Sequence, residues 1–276
     1  MSVSLSRRAR WVAAAAAVAL VVAAGVITLV LNGSSAGNGL PADPLRFYSA
    51  GAVSPIEREI APVEKRADQL TAKWIAKHGT SNDTGFASYA VRQVGAVPGS
   101  AVQTTELGQL RTLQRQRTAE GIAAATYLEA HGKKDVWQTY GDAYDALPGH
   151  GHDAENLIDA ADVLGTEVAD RAQATYQRLP PYQVDPSLNG TIHRDASRVK
   201  YSFPSGHATL AGAEATVLAR LEPQRVNDLR FLEGEVDYSR LYVAAHYPSD
   251  IVRGALLGRM IGDYTLADHH EWVPGA

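Results

Sequence analysis

The chain has 276 residues, 45% of them hydrophobic, with a formal net charge of −4 and no cysteine. That length and composition exclude wholesale disorder and allow one large domain or two small ones. The missing cysteine excludes a disulfide framework, a thiolate metal site and a cysteine nucleophile. Residues 1–36 carry Arg7, Arg8 and Arg10 and no acid, so the remainder holds 23 basic against 30 acidic side chains. An acidic body speaks against nucleic acid as a partner, because phosphate neutralisation needs clustered Lys and Arg.

Val12 to Leu31 is a run of 20 residues without a charge. As a helix it spans about 30 Å, one hydrocarbon core. The three arginines before it predict a cytoplasmic N-terminus and an extracytoplasmic body. Two readings of 1–36 stay open. One is a single-pass anchor that makes the membrane a partner. The other is a signal peptide cleaved after the small residues Ser34-Ser35-Ala36. The run exceeds the ~7–15 residues of a usual signal core, which favours the anchor.

Residues 37–52 read as a linker, 53–266 as a helical domain and 267–276 as a polar tail. Ser54-Pro55-Ile56-Glu57 has the chemistry of a helix start, with a Ser cap and Pro at the first position. The helix can run to Lys77, with an irregularity at Pro62 and Gly79 as terminator. Residues 79–104 are rich in Gly, Ser, Asn and Thr and give no pattern. Thr105 to His131 is mostly helix former, with Thr118 and Glu120 suited to a restart. Asp135 to Leu147 predicts a short helix, and Pro148-Gly-His-Gly-His152 a loop. Asp153 to Arg178 is the longest pattern: Leu157, Ala161, Leu164, Val168 and Ala172 recur at three or four and mark one helical face. Pro180-Pro181 stops it. Helices are expected again over 205–221, 226–235 and 247–264. No stretch after the N-terminal run alternates at period two, so the fold class is all-α, a helical bundle preceded by one apolar N-terminal helix.

Two motifs carry chemistry. Pro204-Ser205-Gly206-His207 stands at the start of an expected helix, where free N–H groups and the helix dipole favour an anion. Gly206 permits close approach of a ligand to the backbone. In the second, Ser239-Arg240 is followed after five residues by His246 and after three more by Asp250. Pro248 suits a first helical turn, so His246 also precedes a helix. Asp250, one turn on, can reach back to the imidazole and leave its other nitrogen free to attack. Taken singly, each residue has an ordinary reading as a cap or a surface charge. Together they make a phosphate site with a nucleophile and an acid.

These motifs resemble the second and third signatures of the phosphatidic acid phosphatase type 2 / vanadium haloperoxidase superfamily, with 31 residues between His207 and Ser239. The resemblance covers roughly 153–264. It implies a helical bundle of the acid phosphatase type and a phosphohydrolase that uses no metal or other cofactor. It also implies His246 as the nucleophile that becomes phosphohistidine, Asp250 as its orienting partner and His207 as general acid. Arg240 with the backbone of Ser205 and Gly206 would hold the phosphoryl oxygens. The first signature, K-x6-R-P, is damaged: Gln173 and Pro180 stand at the Lys and Arg positions and only Pro181 remains. A register shifted by two gives Arg171-x6-Arg178. Arg171, Arg178, Arg198 and Lys200 are the candidates to supply the missing charge.

The resulting expectation is an extracytoplasmic phosphatase acting on a phosphorylated small molecule. The alternatives are a lipid-phosphate or pyrophosphate phosphatase and a non-catalytic phosphate-binding relative. His150-Gly-His152 and Asp268-His269-His270-Glu271 have metal-like spacings but read as a capping loop and a polar tail. Gly254, Gly258 and Gly262 recur at four and predict a smooth face beneath the site.

Overall fold

Side-chain caps at Asn82, Thr118 and Ser205 start three of the helices. The computed structural model describes residues 44–189 and 201–271. The N-terminal apolar run, Arg198 and Lys200 lie outside the described residues. α1 (Ala50–Ile60) and α2 (Val63–His78) are separated at Pro62, and Gly79, at φ 67°, ends α2 in a conformation glycine adopts without strain. α1 starts five residues earlier than the Ser-Pro signal implies and keeps Pro55 inside. One backbone bond is lost there, and the burial of Val53, Ile56 and Ile60 compensates. The expected linker is also shorter. Leu45 N donates to the Tyr140 hydroxyl at 3.1 Å and Tyr48 N to Glu235 Oε1 at 2.7 Å, so the chain is pinned from Leu45 onward.

One further helix and the first turn of the next occupy the stretch that shows no pattern. α3 (Asp83–Gln93) is capped by Asn82, whose Oδ1 accepts from Gly85 N at 2.9 Å, and buries Phe86, Ala87, Ala90 and Val91. α4 (Ser100–Gln114) and α5 (Ala119–His131) divide where expected: Thr118 Oγ1 accepts from Gly121 N at 3.1 Å. α6 (Asp135–Asp145), α7 (Asp153–Tyr176) and the single turn α8 (Pro181–Val184) follow. α7 ends at Gln177, which is left-handed at φ 50°.

α9 (Gly206–Leu221), α10 (Val226–Tyr242) and α11 (Pro248–Asp268) complete the order. α10 runs seven residues beyond the expected end at Glu235. Its buried Glu233, Glu235 and Asp237 interrupt the apolar period, so the pattern stops while the helix continues. Ser239 and Arg240 therefore sit on its last turn. α11 outlasts its expected end at Tyr264, and the 267–276 tail begins inside it. Arg220 Nε also holds the carbonyl of Glu271 at 2.6 Å.

α9 and α11 form the centre, with α7 across both, α2 on α11, and α10 against α9, α1 and α5. The glycine face of α11 lies directly on α9. A Cβ at Gly254 would stand 2.6 Å from Ser205 O, at Gly258 2.4 Å from Thr209 O, and at Gly262 2.6 Å from Thr216 Cβ. Only glycine permits this approach. The described residues are helical with no strand among them, as the all-α reading expects. No helix among them is long and apolar enough to cross a membrane.

Candidate active site

The first motif forms the N-terminus of α9. Ser205 is its N-cap: Oγ accepts from Ala208 N at 3.3 Å, and Ser205 O accepts from Thr209 N and Thr209 Oγ1. The motifs are joined directly, because Ser205 N donates to the Asp250 carbonyl at 3.0 Å. Among the described residues nothing crowds Gly206: a Cβ there would meet Gln173 Nε2 at 3.7 Å and Ala169 Cβ at 3.9 Å, ordinary contacts.

His246 immediately precedes the N-cap of α11. Its Nδ1 lies 2.8 Å from the Ser202 carbonyl. A carbonyl only accepts, so Nδ1 carries the proton and Nε2 keeps its lone pair. Asp250 Oδ2 stands 3.7 Å from the same nitrogen, beyond hydrogen-bonding range. The sequence assigns the orienting bond to Asp250, and the structure gives it to a backbone carbonyl instead. Asp250 is engaged elsewhere: Oδ2 accepts from Tyr247 N at 2.9 Å, and Oδ1 from Arg178 Nη1 at 2.6 Å.

Arg178 occupies a buried seat. Its Nη1 also donates to Ser249 Oγ at 2.8 Å, its Nη2 to Glu106 Oε2 at 2.8 Å, and its guanidinium lies 3.6 Å from the Tyr247 ring centroid. Its carbonyl accepts from Ser202 N at 2.8 Å, so one residue fixes both Asp250 and the strand of chain that orients His246. Glu106 Oε1 accepts from Ser249 N at 2.7 Å. Of the other cations offered for the damaged signature, Arg171 turns away to Ser88 Oγ and Glu167. Gln173 donates its amide to the Pro204 carbonyl at 2.9 Å, so it supports the first motif without charge.

Arg240 projects from the last turn of α10 with its side chain 1% exposed. Nε donates to Ser239 Oγ at 2.9 Å and Nη2 to the Ala125 carbonyl at 2.5 Å, while Nη1 is 3.3 Å from Glu129 Oε2. His207 lies beside it, its Nε2 donating to the Glu129 carbonyl at 3.1 Å. The ring keeps a partly exposed edge but is otherwise enclosed by protein. Burial first, then the charges of Arg240 and Lys133, hold it well below the usual histidine range, so it is neutral at pH 7.

Glu106, Glu129 and Ser202 carry no motif and were not candidates. At the first of the metal-like spacings, His152 joins Asp145 and Glu155, whose ligand atoms all lie within 4.8 Å of one another. Asp145 accepts from Ala154 N and Glu155 N at the start of α7, His152 Nδ1 pairs with Glu155 at 2.8 Å, and the His150 ring lies tilted against Tyr144 with centroids 4.3 Å apart.

Residues 161–273 match the family model of the PAP2 superfamily. A curated relative, an undecaprenyl-diphosphatase of Sulfolobus acidocaldarius, is 37% identical over 75 residues, 27% of this chain and 36% of that protein. The chain thus spans about a third of the length of the relative it matches. Among solved structures, a transmembrane PAP2-type phosphatidylglycerolphosphate phosphatase from Bacillus subtilis aligns over 71% of this chain and 98% of its own, with 14% identity and a TM-score of 0.47. Residues 161–273, which hold both motifs and the α9–α11 pair beneath them, are thus the part of the chain that is similar to the PAP2 superfamily.

Proposed function

We propose that the chain is a phosphohydrolase that works through a phosphohistidine on His246, in a bundle of the acid phosphatase/haloperoxidase type. The observation that carries the reading is the His246 Nδ1–H bond to the Ser202 carbonyl, which aims an unprotonated Nε2 away from its support. Nε2 attacks the phosphorus and the bond to the leaving oxygen breaks. A water then hydrolyses the phosphoramidate. Arg240 and the N–H groups at the start of α9 stabilise the equatorial oxygens. A neutral His207 is a hydrogen-bond donor in the free protein. The incoming phosphoryl charge favours its protonated form, which then delivers the proton to the leaving group. No step draws on a metal.

The main substrate reading is a phosphomonoester. A lipid-linked or inorganic diphosphate is favoured by one observation, the 37% identity to a protein named for diphosphate hydrolysis. The charge-free run behind Arg7, Arg8 and Arg10 supports an extracytoplasmic site, anchored or released.

The test is a single-turnover reaction of the full chain with a phosphorus-labelled aryl phosphate and, separately, a prenyl diphosphate. Acid-labile, base-stable label on the parent and none on His246→Ala is the expected result. Turnover by a folded His246→Ala variant would remove the mechanism. The substrate that labels faster decides between monoester and diphosphate.

A further inference from the structure

The ligands meant for an anion are already held by α5. Arg240, the motif arginine, has a side chain only 1% exposed, and its neighbours include two oxygens of α5, the Ala125 carbonyl at 2.5 Å and the Glu129 carboxylate at 3.3 Å. The carbonyl of the same Glu129 takes the Nε2–H of His207 at 3.1 Å. Glu129 lies in the last turn of α5, where the carbonyls run out of intrahelical partners and the dipole adds negative character. One residue thus presents a carboxylate to the candidate phosphoryl-binding arginine and a carbonyl to the candidate general acid. Both partners are residues that the phosphatase reading assigns to the phosphoryl group and its leaving oxygen. The Glu129 side chain is 45% exposed, so its carboxylate stays within reach of water.

We propose that Glu129 is an internal competitor for the phosphoryl seat: its carboxylate holds the Arg240 guanidinium until substrate oxygens replace it. The inference rests on the phosphatase reading above and deepens it, because it sets a charge requirement on the substrate. A ligand must outbid one carboxylate for Arg240, so groups rich in negative charge, dianionic phosphomonoesters and diphosphates, displace it. Singly charged phosphodiesters do so less well. Glu129 lies on α5, outside the matched 161–273 segment, so this control belongs to this chain's own scaffold.

A supporting carboxylate and a competing one give opposite signs. If Glu129 served to position Arg240, its removal would weaken anion binding. As a competitor, its removal strengthens it. In the full chain, Glu129→Gln and Glu129→Ala are expected to bind orthovanadate about threefold or more tightly than the parent, the scale of a half-exposed ion pair. KM for an aryl phosphate falls in parallel, and activity toward a bis-aryl phosphodiester rises relative to the monoester. Because position 129 is half exposed, both variants should fold, checked by thermal melts. Vanadate binding by the parent with equal or weaker binding by both folded variants overturns the competitor role and leaves the phosphatase reading standing. No vanadate binding by parent or variants overturns both.

Discussion

Asp250 Oδ1 sits 2.6 Å from Arg178 Nη1, while the Asp250 carboxylate remains 3.7 Å from His246 Nδ1. The acid that sequence spacing assigns to the histidine is spent on an arginine. That arginine in turn is shared with Glu106, at 2.8 Å.

Arg178 is therefore the keystone of a buried charge cluster, and its loss leaves two carboxylates unpaired. Removing one member of a buried pair typically costs about 3–5 kcal/mol. Arg178→Met is expected to lose that much in urea unfolding, and Glu106→Gln less, since Gln keeps an acceptor for Ser249 N. A loss below about 1 kcal/mol for Arg178→Met would mean the cluster is solvated and not buried.

Charge can be returned to the damaged signature at one position and not the other. Gln173 lies beside Gly206 and reaches the Pro204 carbonyl, so an ammonium there would stand next to the α9 N-terminus. One charge-assisted contact is worth roughly 1.5–3 kcal/mol, so Gln173→Lys is expected to tighten orthovanadate binding by about tenfold or more. Pro180 is buried at the N-cap of α8. Pro180→Arg forces a charge into that packing and should lower the melting temperature without helping affinity. Tighter vanadate binding by the Pro180→Arg single variant contradicts this placement.

Gly258→Ala tests the α9–α11 contact. A Cβ would stand 2.4 Å from Thr209 O and 2.9 Å from Ala213 N, both backbone atoms that cannot step aside. Overpacking of this kind costs about 1–3 kcal/mol, which outweighs the ~1 kcal/mol that Ala gains over Gly in helix propensity. Denaturant unfolding should show net destabilisation. Stabilisation would show that the two helices separate readily.

Stability should rise on mild acidification. Burial lifts the Glu235 carboxyl to about 7, against the lowering effect of its bonds from Tyr48 N and Phe47 N. Burial also pushes Glu214 and Asp237 well above the carboxylate range. A raised folded-state pKa means the native state binds the proton more tightly. Its contribution is full below the unfolded value near 4.5 and is lost as pH climbs through about 7. The urea midpoint at pH 5 should thus exceed that at pH 7.5, with Glu235 alone giving up to about 3 kcal/mol. Glu235→Gln can keep both backbone bonds through Oε1 and should flatten the slope. An unchanged slope in that variant would sink the assignment.

What the sequence made legible was local. Thr118, Pro62 and Gly79 act through their own neighbours, so the breaks they impose can be read from a few residues. α3 was hidden because its buried face is mostly small, Ala87 and Ala90 around Phe86, amid Gly and Ser. The end of α10 was hidden because its interior acids, Glu233, Glu235 and Asp237, look like surface. In the site, the motif residues announce themselves by spacing. Glu106, Glu129 and Ser202 do not, because they come from α4, α5 and a distant loop. Two of them are acids on helices that nothing in sequence separates from solvated ones.

The glycine contact between α9 and α11 bears on which parts of the site can move. Gly254, Gly258 and Gly262 set the two backbones against each other, and Ser205 N is bonded across them to the Asp250 carbonyl. Packed interfaces of this kind deform little. The chain segments bearing His207 and His246 therefore behave as one fixed jaw, whose spacing is set before any substrate arrives. Among the described residues, the side that faces this jaw includes the C-terminal turn of α5, where Glu129 meets His207 and Arg240. Substitutions at the α5 end should change how fast ligands enter and leave, while those along the glycine line should change whether the jaw has its working shape at all.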